Sequence, residues 1–103
     1  MTHDVLVAEI QVRAQARGLL THYCGRSVTC SGDRGLPDLV VAGPYGVAWL
    51  EVKTGQGQLK PGQVKWKHTL TAGGQLHRTV TAEHLDMGLV DRLLDRLARD
   101  DAR

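Results

Sequence analysis

The sequence predicts a mixed α/β domain with one β-sheet and helices packed against it. Three observations carry this reading: a helical apolar period near the N-terminus, two short apolar runs joined by Gly43-Pro44-Tyr45-Gly46, and a strongly amphipathic segment near the C-terminus. A chain of 103 residues accommodates one compact core, so residues 1–103 are read as a single domain.

From about Val5 to Arg17, Leu6, Ile10 and Ala14 recur at helical spacing, with Val5, Val12 and Ala16 as a neighbouring stripe, and Gly18 ends the helix. Glu9 lies between Val5 and Val12, which directs its carboxylate towards the packed side or its rim. Leu19 to Cys24 fits a short strand, and the Gly- and Ser-rich stretch 25–35 a loop. Leu39 to Ala42 and Val47 to Lys53 are two strands whose short connection predicts an antiparallel hairpin. Pro61 opens a helix that runs to about Ala72 and stops at Gly73-Gly74. Leu76 to Thr81 alternates as a further strand. Leu89, Val90, Leu93, Leu94 and Leu97 then share one face of a last helix, available for packing on the sheet or for forming a dimer.

Composition narrows the function classes. No apolar run reaches the roughly 20 residues needed to span a bilayer, and the N-terminal segment lacks the basic-then-apolar pattern of a secretory signal. A cytoplasmic location is the expectation. Cys24 and Cys30 do not make a disulfide framework, and with His22 they fall short of four zinc ligands, so two reduced thiols are expected. The net charge of +2 is unevenly spread. Residues 51–78 hold one acid, Glu51, against Lys53, Lys60, Lys65, Lys67 and Arg78, a local excess suited to phosphate or to a solvated helix face. Gly55-Gln56-Gly57 lacks the rest of a dinucleotide fingerprint, and no phosphate loop occurs, so no nucleotide cofactor is expected.

The hairpin carries the chemistry. Asp38 stands just before its first strand, and Glu51 and Lys53 stand two apart on the second, on one face. Asp38 is about six residues before the turn and Glu51 about six after it, so both carboxylates emerge near one end of the sheet. Glu51 interrupts an apolar run, where a carboxylate is costly without compensating charge or hydrogen bonds. Two converging carboxylates also raise each other's pKa. A divalent cation with hard oxygen ligands, Mg²⁺ or Mn²⁺, relieves both problems, and Lys53 can assist an attacking water or stabilise developing charge. The competing reading is an ion network that merely closes a sheet face.

Gly35-Leu36-Pro37-Asp38, Glu51-Val52-Lys53-Thr54, the Gly-x-Gly-x-Leu-x-Pro-x-Gln stretch at 55–63 and Leu70-x-x-x-Gly74 together resemble the PD-(D/E)xK nuclease superfamily, and within it the small VRR-NUC type. The resemblance runs from about Glu9 to Val80 and implies a restriction-endonuclease-like α/β core with a mixed central sheet. It implies an Mg²⁺- or Mn²⁺-dependent DNA endonuclease in which Asp38, Glu51 and the carbonyl of Val52 hold the metal. Lys53 is then the catalytic lysine and Gln63 an additional active-site glutamine. Glu9 matches the first-helix acid that completes the metal shell, with Asp4 one turn away as the alternative. Lys60, Lys65 and Lys67, then Arg26 and Arg34, are the candidates for DNA phosphates. Stand-alone members suggest branched DNA such as a four-way junction as substrate, a homodimer to cut opposed strands, and a mobile-element or phage setting in a bacterial cell. Trp66 is expected to anchor its helix to the sheet, and His68 and His77 to be ordinary residues. A non-catalytic DNA-binding module on the same fold is the second reading, and a partner-binding protein using the Leu89–Leu97 face the third.

Overall fold

A computed structural model describes residues 1–24, 31–55 and 57–99. The chain forms α1 (His3–Ala16), β1 (Leu20–Tyr23), β2 (Leu39–Gly43), β3 (Gly46–Val52), α2 (Pro61–Ala72), β4 (Leu76–Val80), α3 (Ala82–Asp86) and α4 (Leu89–Ala98). The strands make one sheet in the order β1-β2-β3-β4. β1–β2 and β2–β3 are antiparallel, whereas α2 carries the chain across so that β4 runs parallel to β3. The sheet is therefore mixed.

Side-chain alternation sorts its two faces. Leu39 and Val41 of β2 and Ala48, Leu50 and Val52 of β3 are buried with Leu6, Val7, Ile10 and Ala14 of α1 and Val90, Leu94 and Leu97 of α4. The predicted Leu6–Ile10–Ala14 stripe is the packed one. The neighbouring stripe is not: Val5 and Val12 are exposed at 53% and 59%, because Val7 completes the buried face on the other side. Arg13 of α1 and Arg17 just after it pair with Asp91 and Asp95 of α4 along the solvent rim of that core.

The expected last helix is α4, and a short helix not among the predicted elements, α3, precedes it. Thr81 caps α3, accepting the N–H of His84, and Gly88 at φ +80 then turns the chain into α4. That turn needs a left-handed residue, which glycine supplies without a Cβ penalty. Val90, Leu94 and Leu97 of the Leu89–Leu97 face are taken up by the core, Leu93 packs partly against it, and Leu89 is left exposed. One thiol expectation fails as well: Cys24 is disulfide-bonded, and Cys30 lies outside the described residues. Counting cysteines excluded a multi-bridge framework, but one bridge needs only two sulfurs brought together.

The end of α4 docks on the β2–β3 turn, where the Tyr45 N–H donates to the Leu97 carbonyl at 3.1 Å. Gly43 lies against the same carbonyl and against the Leu19 side chain, leaving no room for a Cβ. Gly43→Ala should cost about 2 kcal/mol or more of stability, read from urea unfolding midpoints. A variant as stable as wild type would show that α4 does not seat there.

Candidate active site

Asp38 immediately precedes β2, and the register pairs Leu39 with Leu50. Continuing that register by one residue sets Asp38 opposite Glu51, on the face shared by Val40 and Trp49. The Asp38 side chain is tied across the hairpin, its Oδ2 accepting the Val52 N–H at 3.0 Å. Its carbonyl accepts the Cys24 N–H at 3.1 Å, which joins it to the end of β1. Lys53 follows β3, and its N–H donates to the Val80 carbonyl at 2.9 Å, so β4 holds the backbone on the other side.

Gln63 closes the group. Its Nε2 donates to Glu51 Oε1 at 2.6 Å, and its Oε1 accepts both Lys53 Nζ at 3.0 Å and the backbone N–H of Lys60 at 2.8 Å. The last bond is half of a capping box, so the helix start and the side-chain network use one carbonyl. Lys53 Nζ is 3.7 Å from Glu51 Oε1. Gln63 reaches Glu51 because the Asp38 loop and the start of α2 touch backbone to backbone. Gly35, at φ +98, lies so close to Gly62 that any Cβ there would meet the Gly62 carbonyl and the Gln63 nitrogen. A glycine is therefore required on steric and conformational grounds at once.

Glu51 is 2% exposed, and its Oε2 is buried without a hydrogen-bond partner. Burial first, then the negative charge of Asp38, raise its pKa to about 7, against the opposing pull of Lys53. The cleft of about 320 Å³ in front of it is lined by His3, Asp38, Glu51, Val52, Lys53 and Gln63, among others. Two adjacent carboxylates with one buried oxygen unsatisfied fit a hard divalent cation, which keeps water as its remaining ligands. Among the described residues, no three His, Cys, Asp or Glu side chains form a ready-made metal cage. The site is thus two adjacent carboxylates lining the cleft, Glu51 buried and Asp38 part-buried.

The structure gathers Asp38, Glu51, Val52, Lys53 and Gln63 but does not bring Glu9 to them. Glu9 accepts from Arg13 Nε at 3.0 Å on the rim near Asp91. It is six residues beyond the point where α1 meets the cleft, about 9 Å along the axis and on another face. Asp4, the alternative, is exposed and accepts from the Tyr23 hydroxyl at 3.4 Å. The residue that α1 delivers is His3, whose Nε2 is 3.3 Å from Asp38 Oδ2. Its signal was present in the sequence, since His3 heads the buried stripe Val7, Ile10 and Ala14 at i+4, i+7 and i+11.

Lys60, Lys65, Lys67 and Arg34 are exposed around α2 and the loop before β2. Arg26 lies outside the described residues. Trp66 does not anchor α2 in the core, as no residue of that helix is buried. Its Nε1 instead donates to the Asp33 carbonyl at 3.3 Å, pinning the Asp38 loop to the helix. His68 is exposed, whereas His77 is buried on β4 with its pKa lowered by burial and by nearby Lys67 and Arg78.

A mixed sheet with an antiparallel hairpin that presents Asp38 opposite Glu51-Val52-Lys53 defines the restriction-endonuclease-like, PD-(D/E)xK class. No protein-family model matches the chain, and no curated protein does. It is similar to a solved VRR_NUC domain at 26% identity and a TM-score of 0.58, over 85% of this chain and 92% of that one. That likeness, together with the site geometry, supports a VRR-NUC-type nuclease domain. No helix among the described residues is long and apolar enough to cross a membrane.

Because the folded pKa of Glu51 lies above its ordinary value, the metal-free fold holds a proton that the unfolded chain releases. Stability should fall as pH rises from about 4.5 to about 7 and level off above, a loss of roughly 3 kcal/mol. In EDTA, urea midpoints of wild type should drop between pH 5 and 8 relative to those of Glu51→Gln. Parallel curves for the two proteins would mean that Glu51 is not strained by its surroundings.

Proposed function

We propose that the domain is an Mg²⁺- or Mn²⁺-dependent endonuclease that hydrolyses phosphodiester bonds in branched DNA such as a four-way junction. The observation that carries this reading is the opposed Asp38–Glu51 pair, with one carboxylate oxygen buried and unpartnered, beside the Lys53 ammonium in an open cleft. Asp38 and Glu51, with the carbonyl of Val52, would hold the cation, which when bound supplies Lewis acidity and lowers the pKa of a ligated water.

The chain's own groups supply the rest. Lys53 sets a positive charge where negative charge builds on the phosphate, and a charge fixed in advance needs no reorganisation during reaction. Gln63 holds that ammonium and Glu51 in a fixed relation through its two ends. Lys60, Lys65, Lys67 and Arg34 meet the DNA backbone, and Arg26 is assigned the same role from its place in the sequence. Contacts of this kind position the duplex without reading its bases.

A homodimer completes the reading, since opposed strands of a junction call for two sites. Its support is an apolar row on the open sheet face, Leu20, Ala42 and Val47, which lie side by side across three strands. Leu20 is 76% exposed there. Sedimentation at micromolar concentration should give a dimer boundary that Leu20→Lys shifts to monomer. A monomer for wild type would remove the dimer from the reading.

Labelled junction, flap and linear DNA should be cut by wild type with Mg²⁺ or Mn²⁺ and not in EDTA. Lys53→Ala should lose about 100-fold or more in cleavage rate while binding DNA within a few-fold of wild type. The triple variant Lys60→Ala, Lys65→Ala, Lys67→Ala should instead weaken binding to all three forms and flatten the salt slope by about 3. If wild type binds these DNAs but cuts none with either metal, the domain is a non-catalytic binding module.

A further inference from the structure

We propose that His3 is a nitrogen donor to the cation of this site, which tilts the site's preference from Mg²⁺ towards borderline transition ions such as Ni²⁺. The inference rests on the metal-binding reading above and adds to it a ligand from α1 and a selectivity.

The two nitrogens of the His3 imidazole meet different neighbours. His3 Nδ1 is 3.5 Å from the Tyr23 hydroxyl and 3.8 Å from Asp4 Oδ1. The same hydroxyl is 3.4 Å from Asp4 Oδ1. A carboxylate only accepts, so when the single Tyr23 hydrogen goes to Asp4 the Tyr23 oxygen accepts Nδ1–H, the tautomer that a metal-bound Nε2 requires. That tautomer leaves the Nε2 lone pair facing Asp38 Oδ2 at 3.3 Å, an oxygen that already accepts the Val52 N–H. In that tautomer the two acceptors repel unless a cation lies against both; without a cation, Nε2–H donates to Asp38 instead. Adjacent donors around an octahedral ion with bonds of about 2.1 Å lie roughly 3 Å apart, close to the observed spacing.

The Tyr23–Asp4 pair behind the ring is the kind of outer hydrogen bonding that orients a ligating histidine. His3 is part-exposed at the rim of the cleft, so a cation could enter from solvent. Exchanging a hard carboxylate for imidazole at one position favours the ions that bind nitrogen well, in the order Ni²⁺ over Mn²⁺ over Mg²⁺.

The test is calorimetric titration of the tag-free protein with MgCl₂, MnCl₂ and NiCl₂ separately, with metal-induced shifts in melting temperature as the second readout. His3→Ala should weaken Ni²⁺ binding tenfold or more and Mg²⁺ binding by less than about threefold. His3→Glu should move the ratio towards Mg²⁺ by tenfold or more. Both variants change a part-exposed first-turn residue and should fold as wild type by circular dichroism. If His3→Ala leaves all three affinities unchanged, or lowers them by a common factor, His3 is not a ligand, and the nuclease reading stands without it. If wild type binds none of the ions, or Asp38→Asn and Glu51→Gln leave binding untouched, the metal reading itself falls and this inference with it.

Discussion

Glu51 sits inside an apolar strand directly across from a second carboxylate, and the rest of the structure is arranged around that placement. An ionised side chain removed from water must find compensation nearby or lose its charge. Here the compensation is partial: Gln63 and Lys53 serve one oxygen, while the other is left with no partner among the described residues. Asp38 is satisfied differently, by a backbone N–H of the facing strand and by a histidine from the first helix. The result is a pair of neighbouring acids that differ in burial and in partners.

What holds the site's parts in relation is backbone contact more than apolar packing. α2 has no buried residue, so little of its position is set by the hydrophobic effect. It is located at its N-terminal end by the Gly35–Gly62 contact and on its flank by Trp66 bonded to the Asp33 carbonyl. Both contacts are to the loop that delivers Asp38. Gln63 and Asp38 are therefore fixed relative to each other by the same short stretch, and Glu51 lies between them. On the opposite side of the sheet, α1 and α4 supply the core and the rim of ion pairs that keeps the sheet rigid.

Much of this was legible in the sequence because it depended on local spacing. The hairpin turn, the two-residue step from Glu51 to Lys53 and the Pro61 start of α2 each act over a few residues, and their periods are simple. The misreadings came where tertiary packing chose between local options. The first helix offered two adjacent stripes, and only its contact with α4 and β3 decides that Val7, and not Val5 or Val12, is buried. That choice rotates Glu9 away and brings His3 forward. Trp66 was expected to anchor its helix in the core, yet the nearest partner for its indole N–H is a loop carbonyl. Cys24 shows the same limit, since proximity of two sulfurs is a property of the folded chain and not of their number.

The chemistry-bearing groups come from widely spaced stretches of chain, at residues 3, 38, 51–53 and 63, and they meet through a crossover that sets β4 parallel to β3. Pairings between distant segments form late and together, because loop-closure entropy must be met before they stabilise anything. A half-formed molecule thus has no competent centre: an emerging or partly unfolded chain exposes acids and lysines without the relation that makes them reactive. In a nuclease-type domain, topology itself withholds the site until folding is complete.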